Sequence, residues 1–301
     1  MRIATLDIGT NTVLLLVAER GDDGALRPVV ERATITRLGE GVDRTRALAP
    51  ASIERTTACL DDYARQVREL AVGRVAVVGT SAMRDASGGD AIRDAVRARF
   101  GVEVRVISGQ EEARLTFRGA VSGLPVGPAE DIAVFDIGGG STEVVLGRLD
   151  AAEPHVMWAD SIDVGSVRLT ERHGEDRAAL ERASASAFAG VPPLVGVGEP
   201  VGIAGTVTTL AAVALGLVPY DGRRVHGHRM SRDELGAVVD RLAALPVEQR
   251  RLVPGLEPKR ADVIVAGGVL ACALLDRWEA RGMRVSDRGV RWGLAEDLLG
   301  L

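Results

Sequence analysis

Residues 134–147 read Val-Phe-Asp-Ile-Gly-Gly-Gly-Ser-Thr-Glu-Val-Val-Leu-Gly. An apolar run ends in one carboxylate, Asp136. Gly138, Gly139 and Gly140 follow, then the hydroxyls of Ser141 and Thr142, then Glu143. Glycines at these positions let backbone N–H groups approach an oxyanion with no Cβ in the way. Two carboxylates beside a phosphate repel it, and a divalent cation removes that conflict; Mg²⁺ favours such oxygen ligands and Mn²⁺ suits the same set. The chemistry expected is therefore phosphate handling with a metal. A flexible hairpin tip is the bland alternative for this one stretch.

A second copy changes the balance. Residues 6–17 read Leu-Asp-Ile-Gly-Thr-Asn-Thr-Val-Leu-Leu-Leu-Val, with Asp7 placed as Asp136 is, and Thr10 and Asn11 at the turn. Both stretches predict strand, glycine turn, strand. A Rossmann loop would open a helix rather than a strand, and the Gly-Lys-Ser/Thr of a P-loop is missing. Asp7 and Asp136 are 129 residues apart in a chain of 301. That spacing predicts an α/β chain built as a duplicated unit. The fold expected is the actin-like (ribonuclease H-like) two-domain one with a central interdomain cleft, its domains at 1–125 and 126–301. The last helix is allowed to pack back on the first domain.

The remaining elements must carry these turns. Strands are expected at 26–35, 74–80, 103–107, 155–162 and 284–287, and helices at 52–70, 90–100, 178–189, 231–244, 260–278 and 289–299. Residues 37–49 read as a loop and 123–128 as a Gly/Pro linker. The strand at 74–80 runs into Gly-Thr-Ser-Ala-Met-Arg-Asp-Ala, so Arg84 lies where ligands gather in α/β sheets or is a surface arginine. Glu111 and Glu112 open a helix that reaches Val121; either serves the helix dipole, and one remains open as a general base. Gly205 and Thr206 follow a strand end and start a helix, as a third anion loop or as packing residues. His226 and His228 lack a nearby acidic or cysteine ligand and read as structural. Gly267 and Gly268 read as close helix contacts.

Composition limits the partners. Hydrophobic residues make up 46% and charged residues 26%, so the chain is expected to be soluble and globular. With a net charge of −5 it has no basic block for a long nucleic acid. Lysine occurs once, at Lys259, against 36 arginines, which reads as codon bias rather than function. Residues 200–220 carry no charge before Asp221, but their glycines, threonines and prolines favour a buried strand–turn–helix over a membrane span. Cys59 and Cys272 read as core thiols, and no signal peptide is recognised, so a cytoplasmic location is expected.

With these motifs assembled, the sequence resembles the exopolyphosphatase/guanosine-pentaphosphate phosphatase family. The resemblance runs through 7–12, 79–86, 108–115, 136–143, 165–171, 202–206, 258–262 and 286–291. It implies metal-dependent release of terminal phosphate from inorganic polyphosphate or guanosine pentaphosphate. Glu112 matches the family's catalytic glutamate. Asp136 and Glu143 match carboxylates of the phosphate and metal site, with Asp7 as their partner. Arg84 matches a phosphate-contacting arginine, and the amides of 138–142 and 10–11 would hold phosphates. A homodimer is a further expectation of the resemblance.

Two departures are visible. Many relatives carry Arg-Glu-Gly where this chain has Arg291-Trp292-Gly293. Longer members continue past the position of Leu301, so shorter polyphosphate is the expected substrate. An acceptor-dependent kinase of the same superfold and a non-catalytic alarmone or phosphate sensor are the competing classes; intact carboxylates speak against the sensor.

Overall fold

The computed structural model describes residues 1–22, 24–125, 131–150, 153–194 and 199–300. Positions 126–128 of the expected linker lie outside them. The chain divides into two units, Met1–Gly123 with Val290–Leu301, and Leu124–Gly289. Each is taken separately below.

The first unit holds a five-stranded sheet in the order β3-β2-β1-β4-β5. Strand β1 (Arg2–Ile8) turns into antiparallel β2 (Thr12–Arg20), and β3 (Leu26–Ile35) pairs with β2. A short helix, α1 (Val42–Thr45), falls in the stretch expected to be loop, and α2 (Pro50–Glu69) follows. Strand β4 (Arg74–Gly79) runs parallel to β1 and leads into α3 (Ser81–Asp85) and α4 (Asp90–Phe100). Strand β5 (Val104–Val106) and helix α5 (Gly109–Val121) complete this run. The strand period of two sorts β1 onto two faces. Ala4, Leu6 and Ile8 enter the core with Leu60, Ile92 and Val96 of α2 and α4. Ile3, Thr5 and Asp7 face the other way, and Ile3 packs with Leu16 and Trp292.

The second unit repeats the plan. Strands β6 (Asp131–Ile137), β7 (Thr142–Asp150) and β8 (Glu153–Ile162) form an antiparallel meander. Helices α6 (Ser166–His173) and α7 (Arg177–Ala187) precede β9 (Val201–Ile203), which is parallel to β6. Then come α8 (Ala204–Ala214), α9 (Gly222–Val225), β10 (Arg229–Ser231), α10 (Arg232–Ala243), α11 (Val247–Arg250), α12 (Ile264–Arg277) and β11 (Gly282–Val285). The sheet order is β10-β11-β9-β6-β7-β8. Read outward from β8, the first five strands match β3-β2-β1-β4-β5, a meander and then parallel strands, and β10 adds an antiparallel edge. The duplication expected from the two Asp-Ile-Gly hairpins is thus present, and the architecture is the actin-like α/β one. The charge-free stretch from 200 becomes β9 and α8, whose eight residues Thr206–Val213 are all buried. A Cβ on Gly268 would meet Val239 Cγ2 at 2.3 Å, so α12 and α10 touch there as the glycine pair suggested.

The final helix, α13 (Val290–Leu299), belongs to the first unit. It lies against α5 through Leu115, Val290 and Leu294.

Candidate active site

In the first unit the β1–β2 turn is held from outside. Thr10 O accepts the Gly39 N–H at 2.8 Å, and Asn11 O accepts those of Thr36 and Arg37 at 3.0 and 2.9 Å. Gly39 is required here, because a Cβ would fall 2.3 Å from Thr10 Cγ2. The carbonyls are therefore occupied, while the Thr10 and Asn11 amides meet no acceptor among the described residues. Asp7 closes β1 at 8% exposure, and its Oδ1 is buried without a hydrogen-bond partner. Its carboxyl is pushed up to about 7, by burial first and then by the charge of Glu112, against the opposing pull of Arg291.

Glu112 stands in the first turn of α5. Ser108 caps that helix, its Oγ accepting the Glu111 N–H at 3.2 Å, and its carbonyl accepts the Glu112 N–H at 2.9 Å. Arg84 reaches Glu112 from α3: Nη1 donates to Oε2 at 3.3 Å and to Ile107 O at 3.0 Å. The structure thus brings three sequence candidates together. Glu112 pairs with a guanidinium that is one-third exposed, and its charge adds to the burial that raises the Asp7 carboxyl.

The second unit builds its turn more tightly. Asp136 and Glu143 are cross-strand partners, so their carboxylates share one face beside the loop. Gly138 O accepts the Ser166 N–H at 2.9 Å, and Gly139 O accepts those of Val167 and Arg168 at 2.9 and 3.1 Å. The loop carbonyls thus satisfy the opening amides of α6 and turn away from the mouth. This contact needs Gly165, where a Cβ would sit 2.5 Å from Gly139 C and O. The amides of Gly139, Gly140 and Ser141 meet no acceptor among the described residues, which suits an oxyanion.

The side chains of Thr142, expected as a hydroxyl donor, and of Thr206, expected in a third anion loop, turn inward. The Thr142 side chain is fully buried and donates to Val164 O at 2.6 Å. Thr206 is 2% exposed and donates to Ile137 O at 2.8 Å. Both brace the hairpin and are not presented to a ligand. Ser141 Oγ donates to Glu143 Oε1 at 2.5 Å, and Ser161 reaches the same oxygen at 2.9 Å, so these hydroxyls orient the carboxylate.

Gly205 leaves no room for a side chain. It lies in the first turn of α8, and a Cβ there would fall 2.0 Å from Arg260 Nη2. Burial pulls the Arg260 guanidinium down, while Asp136 and Glu257 pull it up. Arg260 thus places a desolvated cation by Asp136. It sits inside the Pro-Lys-Arg-Ala-Asp motif at 258–262, the only sequence signal that marked it; nothing marked Ser161.

Asp136 and Glu143 in one unit, and Asp7 with its unpartnered buried oxygen in the other, are hard oxygen donors of the kind Mg²⁺ takes. Among the described residues no group of three or more His, Cys, Asp or Glu side chains is poised to hold a metal. A Mg²⁺ ion held by one or two carboxylates keeps waters and substrate oxygens as its other ligands, so the paired carboxylates fit. His226 is structural: its Nδ1 lies 3.2 Å from Ser286 Oγ and 3.3 Å from Asp287 Oδ1. Both cysteines are free and buried, and burial pushes the Cys272 thiol up to about 11. No helix among the described residues is long and apolar enough to cross a membrane.

A duplicated actin-like fold, with carboxylates and open amides at both hairpins, defines a phosphate-handling protein of that superfold. The chain belongs to the Ppx/GppA phosphatase family, whose model matches residues 16–300. Exopolyphosphatase 2 of Mycobacterium tuberculosis is 37% identical over 99% of both chains. The crystal structure of the Aquifex aeolicus family member matches with a TM-score of 0.84 at 32% identity, covering 100% of this chain and 98% of that one. A guanosine-5'-triphosphate,3'-diphosphate pyrophosphatase of Vibrio atlanticus is 28% identical over 98% of this chain, which spans 59% of its length.

Proposed function

We propose that this chain is an exopolyphosphatase that hydrolyses the terminal phosphoanhydride bond of inorganic polyphosphate. The observation that carries the mechanism is the setting of Glu112, fixed by the α5 cap and by Arg84. Phosphoryl transfer to water needs an oriented nucleophile and neutralised charge more than covalent catalysis. Glu112 orients a water and takes its proton as the new oxygen–phosphorus bond forms. The bridging oxygen–phosphorus bond breaks, and the shortened chain leaves with its electron pair. Arg84 has the exposure to exchange Glu112 for a phosphate oxygen, which releases the carboxylate for that role. The amides of Thr10 and Asn11, and of Gly139, Gly140 and Ser141, take phosphate oxygens, and Arg260 adds positive charge beside Asp136. The Asp136 and Glu143 pair of the second unit would hold Mg²⁺ or Mn²⁺, which when bound would neutralise phosphate charge.

The test uses no acceptor. In water enriched in heavy oxygen, label should enter the released orthophosphate; release only after an alcohol acceptor is added would contradict the reading. Guanosine pentaphosphate hydrolysis is the second reading, favoured by the Vibrio relative. A homodimer and a cytoplasmic location complete the proposal and rest on the family resemblance.

A further inference from the structure

Gly165 and Ser166 seat the glycine loop of the second unit, and the next two residues border it with their side chains. A Cβ on Gly139 would lie 3.2 Å from Val167 Cγ2, and one on Gly140 would lie 3.7 Å from Arg168 Nη2. Val167 is 41% exposed and the Arg168 side chain 29%. Helix α6 therefore sets one guanidinium at the rim of the loop. The loop itself supplies no cation. Its open amides, on Gly139, Gly140 and Ser141, are neutral donors, and the Ser141 hydroxyl is already given to Glu143. A phosphate seated on those amides keeps its charge, and Asp136 and Glu143 beside the loop repel it.

Arg168 is held in a way that suits exchange. Its Nη1 donates to the Asp163 carbonyl at 3.0 Å and lies 3.0 Å from Asp163 Oδ1. Both acceptors belong to the turn between β8 and α6. The carbonyl fixes the guanidinium in place, and the carboxylate is its only counter-ion among the described residues. The Asp163 side chain is 90% exposed, so this ion pair sits in water and is readily given up. Nη2, the nitrogen that borders Gly140, donates to nothing among the described residues. A guanidinium carries its donors in one plane, so anchoring one nitrogen leaves the other fixed in direction. Nη1 can stay on the carbonyl while Nη2 meets an anion on the loop and the Asp163 carboxylate yields.

We propose that Arg168 binds the substrate phosphate that sits on the Gly139, Gly140 and Ser141 amides, and that Asp163 is the counter-ion which this phosphate displaces. This role rests on the proposed hydrolase activity for its choice of ligand. It gives the second unit an arginine for phosphate, as Arg84 serves the first. Asp163 then competes with the substrate and sets how tightly the loop holds it.

The test is equilibrium binding of a methylene-bridged analogue of tripolyphosphate, which is not hydrolysed, measured by calorimetry with Mg²⁺ present. The full chain is compared with its Arg168→Gln, Arg168→Lys and Asp163→Asn variants and with the double variant Arg168→Gln/Asp163→Asn, each well below its unfolding temperature. Arg168→Gln should weaken binding about 10–100-fold, the effect of one charge-assisted contact to phosphate. Arg168→Lys should recover part of that loss, since it restores the charge without the planar fork. Asp163→Asn should tighten binding about two- to fivefold, the worth of an exposed ion pair. That gain should vanish in the Arg168→Gln background, because the two residues act through one contact. A purely structural Arg168–Asp163 pair would lower the unfolding midpoint in both single variants and tighten binding in neither. Unchanged affinity in Arg168→Gln, an equal gain from Asp163→Asn in both backgrounds, or no binding by wild type would overturn the proposal. Orthophosphate release from tripolyphosphate is followed in parallel. Binding as expected with no release would sink the hydrolase reading alone, and release with affinity unmoved by Arg168→Gln would sink this role alone.

Discussion

The carboxylates of the first unit differ in what surrounds them, and their variants should differ accordingly. Glu112→Gln keeps the size of the side chain and removes its basicity, so turnover should fall about 10²–10⁴-fold. Steady-state rates under saturating substrate check this, and near-normal turnover would remove Glu112 from the role. Asp7 acts on stability. Its carboxyl is pushed up from 3.8 to about 7. The folded state therefore favours its neutral form. The stability this confers is full below about pH 4 and is lost as pH rises through 7, at about 1.4 kcal/mol per unit. Asp7→Asn lacks that loss. Denaturant titrations at pH 4 and pH 8 should show the variant gaining on wild type toward pH 8. Thr142 illustrates a limit of sequence reading. A hydroxyl in a glycine turn serves a ligand or its own backbone, and spacing does not tell which. The structure gives it to Val164 O. Thr142→Val should cost about 1–3 kcal/mol through the unpaired carbonyl and leave KM unchanged.

At the scale of elements, the hairpins were legible and the braces behind them were not. Asp-Ile-Gly between apolar runs announces strand, turn, strand, and its repetition announces the duplicated sheet that β1–β5 and β6–β11 form. The pairing of Arg84 with Glu112 required α3 and α5 to follow adjacent parallel strands, β4 and β5, and that adjacency is a property of the sheet order. Arg260 reaches Asp136 from a turn more than a hundred residues later in the chain, a distance no local pattern encodes. The contact between Gly165 and the glycine loop is another such brace. Gly165→Ala would drive a Cβ into Gly139, so the loop must shift. Overpacking of this kind costs about 1–3 kcal/mol. A higher KM for polyphosphate should accompany the lower unfolding midpoint, because the displaced amides are those left open to the ligand.

For the whole molecule, duplication supplies each unit with a carboxylate-bearing hairpin, and Glu112, the proposed general base, lies in the first unit. The charge balance bears on the expected substrate range. A chain with net charge −5 offers little long-range attraction to a polyanion, so local amides, arginines and metal must supply the grip. Short polyphosphate should therefore be turned over at least as well as long polymers, and a chain-length series measures it. The most direct test of the account is Mg²⁺-dependent orthophosphate release by the purified chain. Short polyphosphate, guanosine pentaphosphate and ATP would be offered side by side, with Glu112→Gln as control. The account predicts rapid release from polyphosphate that the Glu112→Gln variant lacks. Equal release by that variant, or none from polyphosphate by the wild-type chain, would contradict it.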